Sequence, residues 1–95
     1  MPYIKQKDRK ELDAHIRDLA RVVAQESIGN NEQSCGRLNY AITKLMHLVL
    51  EFRHNRVGYA EYNELIGMLE CAKLELYRRS VANYEDEKIL ENGDV

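Results

Sequence analysis

Residues 59–92 read YAEYNELIGMLECAKLELYRRSVANYEDEKILEN, and this stretch decides the fold. Tyr62, Leu65, Ile66, Leu69, Ala72 and Leu76 recur every three or four residues, the spacing that lines one face of an α-helix. Leu74, Tyr77 and Val81 form a second arc, so this helix is apolar over more than one stripe and is either central to its bundle or shared with another subunit. The spacing predicts a helix over 59–82. Asn83, followed by Glu85, Asp86 and Glu87, reads as an N-cap with acids in a first turn, and Asn92-Gly93 reads as a stop. A C-terminal helix, or an extension of the third helix, is therefore predicted over 83–92. A helix this short is unstable alone in water, and Tyr84, Ile89 and Leu90 supply the apolar anchors by which it docks.

Upstream, Leu38, Ala41, Ile42, Leu45, Leu48, Val49 and Phe52 mark a second helix over 36–52 with a broad apolar face. Leu12, Ile16, Leu19 and Val23 mark a first helix over 8–25, which Asp8 and Glu11 open in the manner of a capping box. Between them SIGNNEQSCG, residues 27–36, lacks apolar periodicity and reads as a flexible connection, and RHNRVG, residues 53–58, reads as a loop. Residues 1–7 form an arm in which Pro2 imposes an extended start and Tyr3 and Ile4 offer apolar contacts. One proline and five glycines in 95 residues suit helices rather than strands and turns. The expected fold is all-α, a single domain over 1–95 built as a three-helix core with an N-terminal arm and a C-terminal helical segment. A core of this size is small, so a homo-oligomer is expected.

The formal net charge of −2 gives no general attraction to phosphate backbones, so broad nucleic-acid binding is not expected, and the cluster Lys5, Lys7, Arg9, Lys10 lacks interleaved aromatics beyond Tyr3. No apolar run is long enough to span a bilayer and the N-terminus carries early charge, so a cytoplasmic protein without a membrane partner is expected. Cys35 and Cys71 lie far apart, as free thiols in a reducing compartment do, and with His15, His47 and His54 they form no metal-ligand spacing. No cofactor is expected.

Polar residues interrupt the apolar faces at two places. Asn39, Thr43 and His47 follow one another at helical spacing on the second helix, and Asn63, Gly67 and Glu70 do so on the third. Glycine inside a helix costs about 1 kcal/mol relative to alanine, so Gly67 suggests close approach of a backbone, side chain or ligand. Tight helix packing with hydrogen-bonded polar residues at the core edge is the simpler reading of these stripes. Lys73, Tyr77, Arg78 and Arg79 add cations and an aromatic hydroxyl suited to a phosphate or carboxylate. Asn39, Asn63, Tyr77, Arg78 and Arg79 are thus the candidate contacts for an anionic, nucleotide-like small molecule. The acidic residues Glu85, Asp86 and Glu87, in cis or from a neighbouring subunit, are the competing partners of the two arginines, and Glu75 lies within helical reach of both.

The chain lacks a glycine-rich phosphate loop, a Gly-x-Ser-x-Gly elbow and a His-Glu-x-x-His motif. Its enzymatic alternative is magnesium-dependent hydrolysis by helical carboxylates, with Glu61 and Glu64 as metal ligands. Nucleotide pyrophosphohydrolases of the MazG type work in this way, yet the second helix here carries no doubled Glu to partner Glu61-x-x-Glu64. Three blocks, MPYIKQKDRKELDAHI, LNYAITKL and YAEYNELIGMLECAKLELYRRSVANYEDEKILENGDV, resemble a family of small all-helical proteins of unknown function found in bacteria, phages and environmental sequence sets. The resemblance brings no established activity or site. Small helical phage proteins that form oligomers and sequester nucleotide signals are an analogy of size, class and setting. The expected function is that of a non-enzymatic, homo-oligomeric binding protein, with a MazG-like hydrolase and a protein-binding adaptor as alternatives.

Overall fold

The structure, a computed structural model, describes residues 4–25 and 31–95, with residues 31–34 as helix backbone only. Among the described residues helices are the only regular structure. Contacts divide the chain into two units, one ending at Val57 and one running Gly58–Val95.

In the first unit a 3-10 turn, Gln6–Asp8, precedes α1, Lys10–Gln25. Asp8 does not open α1 as the Asp8/Glu11 pattern suggested, because it belongs to the 3-10 turn, where its N–H bonds the Lys5 carbonyl at 2.9 Å. Asp13 N–H bonds the Arg9 carbonyl at 2.7 Å, and Arg9 Nε turns back to the Ile4 carbonyl at 3.0 Å. The apolar arm residue Tyr3 and residues 27–30 of the predicted connection lie outside the described residues.

Helix α2 spans Asn31–Arg53 and so begins five residues ahead of the predicted start at 36. Helical backbone satisfies its own hydrogen bonds once a long apolar face downstream anchors the element, so a polar first turn leaves no periodic mark. Gly36 weakens such a turn by about 1 kcal/mol without breaking it. Helix α1 packs against α2, and Leu50 alone of the described residues is buried, at 6% exposure. The helix ends at Arg53, a cation placed where the macrodipole favours one, with His54 N–H on the Leu50 carbonyl at 3.0 Å.

The second unit is a single helical run. Gly58 is extended, and Tyr62 N–H on its carbonyl at 3.2 Å starts α3, Tyr59–Leu76. A π-helical turn, Tyr77–Val81, follows and passes directly into α4, Ala82–Asn92. Asn83 is therefore interior rather than an N-cap. Its side-chain amide donates to the Arg79 carbonyl at 2.8 Å, one turn back, within the loosened hydrogen-bond ladder. The run stops at Gly93, whose φ of 87° a side chain would resist and whose N–H bonds the Ile89 carbonyl at 2.8 Å.

Candidate functional site

The wide turn is the feature around which the candidate residues gather. At its entry Tyr77 N–H bonds both the Leu74 and Lys73 carbonyls, and at its exit Ala82 N–H bonds the Tyr77 carbonyl, five residues back. One extra residue is thereby absorbed into the helix. In a plain α-helix residues seven apart share a face; across this turn the shared spacing becomes eight. Tyr77 and Glu85 illustrate the consequence. The Tyr77 hydroxyl donates to the Glu85 carboxylate, and that bond, then the Glu85 charge, burial and the charge of Asp86, hold the phenol above its ordinary pKa.

Arg78 and Arg79 converge on Glu75 from the same turn. Arg79 Nε lies 2.7 Å from Glu75 Oε2, and an Arg78 terminal nitrogen lies 3.8 Å from Oε1. The carboxylate is mostly covered, while both guanidinium groups remain largely open to water. Lys73 pairs with Glu70 at 2.8 Å. Exposed i,i+3 and i,i+4 pairs contribute only tenths of a kcal/mol each, so they shape the surface more than they stabilise it. The turn thus presents two cationic forks already directed at one carboxylate, an arrangement that suits planar anions.

The other candidates stand apart from this turn. Asn63 is on the same helical run but fourteen residues before Tyr77, about 21 Å along the axis. The structure does not bring it to the arginines. Asn39 belongs to the first unit, where its Oδ1 accepts from the Thr43 hydroxyl at 3.2 Å beside a shallow groove of about 510 Å³ that also meets Cys35, Gly36 and Tyr40. The close approach expected at Gly67 is absent within the described chain: a Cβ there would meet nothing within 4 Å.

Glu61 has a local task. Its Oε2 accepts the Gly58 N–H at 3.0 Å, one half of a capping box whose other half glycine, lacking a side chain, cannot supply. A metal at Glu61 would compete with that bond. Among the described residues no three His, Cys, Asp or Glu side chains lie together as a metal site, and Cys35 and Cys71 are free thiols.

Sequence reasoning missed Arg37. From α2 its Nε and a terminal nitrogen donate to the Val23 and Val22 carbonyls at 3.2 and 2.8 Å, satisfying groups that the last turn of α1 leaves open. No local pattern signals it, because its partners are carbonyls of the preceding helix. The clamp borders an apolar groove of about 590 Å³ between α1 and α2, lined chiefly by Leu19, Val22, Tyr40, Leu45 and Leu48, with Lys44 at its edge.

Fold and site together define a small all-helical protein whose most distinctive feature is a cation-bearing wide turn in a long helical run. The chain belongs to the family described as Domain of unknown function (DUF6899), which matches residues 1–95. No curated protein and no solved structure matches it. Among the described residues no helix is long and apolar enough to cross a membrane.

Proposed function

We propose that the protein is a non-enzymatic binding protein that works as a homo-oligomer. One observation carries this reading: large apolar side chains on every helix lie open, among them Ile16 at 58%, Ile66 at 64% and Leu90 at 87% exposure, while among the described residues Leu50 is the buried one. Covering such a side chain fully is worth about 1.5–3 kcal/mol, so exposed apolar side chains on each helix favour cover by another molecule. Identical subunits supply that cover symmetrically.

The ligand of this reading is an anionic, nucleotide-like small molecule at Tyr77, Arg78 and Arg79, with Asn39 and Asn63 as the more distant candidates. Convergence of the two guanidinium groups on Glu75 supports it, since phosphate oxygens make the same charge-assisted bonds as a carboxylate. The test is equilibrium dialysis of the purified protein against labelled nucleotides, comparing wild type with an Arg78→Ala, Arg79→Ala variant. Capture by the wild type and its loss at retained helicity supports the reading. Equal capture by both removes the arginines from it, and magnesium-dependent release of pyrophosphate, lost in Glu61→Gln, replaces it with the hydrolase alternative.

A further inference from the structure

Lys44 is a cation without an acid. Its neighbours three and four residues away on α2 are Tyr40, Ala41, His47 and Leu48, so no carboxylate of its own helix stands within reach. Lys73 and Lys88, by contrast, each pair with a glutamate three residues away. Among the described residues the side chains of Lys44 and Tyr40 form no hydrogen bond or ion pair. Both line the groove of about 590 Å³ between α1 and α2.

The rest of that groove is apolar. Leu19 and Val22 of α1 and Leu45 and Leu48 of α2 line it, and among the described residues its wall contains no Asp, Glu, Asn, Gln, Ser or Thr. Arg37 belongs to the same wall, held by the Val22 and Val23 carbonyls. Arg37 and Lys44 are separated by two turns of α2, about 10.5 Å along the axis. Polar recognition is therefore confined to two cations and one phenol on α2. Small-molecule sites have this make-up, about 300–1,000 Å³ of mostly apolar wall with a few placed polar groups.

The charges select the occupant. A ligand with a neutral or positive head leaves Lys44 unpaired, whereas a carboxylate pairs with it and accepts from the Tyr40 hydroxyl one turn earlier. A nucleotide suits this groove poorly, since an aliphatic wall leaves the polar edges of its base and sugar unsatisfied. A membrane surface calls for a cluster of about 4–8 cations, and the formal net charge here is −2. A hydrocarbon chain ending in one carboxylate matches both the wall and the cation.

We infer that the groove between α1 and α2 binds a free fatty acid, its carboxylate on Lys44 and Tyr40 and its chain along Leu19, Val22, Leu45 and Leu48. Removing the chain from water supplies most of the affinity, and the head fixes orientation and the preferred charge. The site belongs to the first unit and uses neither Arg78 nor Arg79, so it stands or falls independently of the nucleotide reading.

Calorimetric titration of the full chain with dodecanoate, kept below its micelle concentration, tests the site. One dodecanoate per chain is expected to bind saturably. Dodecyltrimethylammonium, with the same chain length and a positive head, is expected to bind at least about tenfold more weakly. Lys44→Glu changes an exposed position that has no ion pair to lose, so helicity is expected to hold while dodecanoate affinity falls about tenfold or more. Lys44→Arg keeps the charge and is expected to stay within about threefold of the wild type. Arg78→Ala with Arg79→Ala leaves dodecanoate binding unchanged. Equal binding of the two amphiphiles, or binding unchanged in Lys44→Glu, overturns the proposal, as does uptake of many molecules per chain, the mark of detergent-like coating. Absence of saturable binding by the wild type overturns it too, and a light-scattering mass that then falls in Leu45→Glu gives the groove to a second copy.

Discussion

Tyr77 donates its hydroxyl to the carboxylate of Glu85 across eight residues of one helical run, a spacing that only the wide turn between them brings onto a common face. The contact raises the phenol pKa above the unfolded value, so its contribution to stability is fully present below about pH 10 and is lost as pH rises through the raised value. Glu85→Gln removes the charge that opposes ionisation. Tyrosinate formation followed by residue-resolved NMR is expected to show Tyr77 ionising at lower pH in that variant, whereas an unchanged titration contradicts the contact.

Arg37→Ala leaves the Val22 and Val23 carbonyls without their guanidinium donor. The expected loss is about 1 kcal/mol, measured by urea unfolding, because these bonds are charge-assisted but partly open to water. Arg37→Lys should recover only part of it, since an ammonium lacks the two-pronged fork.

Gly67→Ala adds a methyl where the described chain offers no neighbour within 4 Å. Helix propensity then predicts a gain of roughly 0.5–1 kcal/mol in thermal or urea unfolding. Destabilisation accompanied by loss of assembly would place a subunit crossing at Gly67.

Glu61→Ala removes the carboxylate that accepts the Gly58 N–H at the start of α3. A stability loss of about 0.5–1 kcal/mol is expected, with amide exchange quickening first at Gly58 and the following turn. Retained stability would show that water replaces the cap.

The helices were legible because Leu12, Ile16, Leu19 and Val23, or Tyr62, Leu65, Leu69 and Leu76, repeat at the period of the structure they form. The early start of α2 was not, since NNEQSCG carries no apolar residue at the repeat to report its helicity. The wide turn was hidden for a different reason: YRRSV has no composition of its own, and one absorbed residue shows only as a shift of the apolar stripe from Leu76 towards Val81 and Tyr84. Of the candidate contacts, Tyr77, Arg78 and Arg79 were near one another by sequence alone. Asn63 and Asn39 belonged to polar stripes, and a stripe records a helix face without recording how far along the axis it lies. Arg37 depends on how α1 ends against α2, a tertiary relationship that no local pattern encodes.

Copies of the same chain are the proposed cover for its open helix faces. Native mass spectrometry on gently purified protein tests it most directly, reporting subunit number and any retained small molecule in one spectrum. A discrete multimer of the 11.1 kDa chain is expected, with added mass in the nucleotide range when its ligand is retained. A bare monomer at micromolar concentration would contradict it.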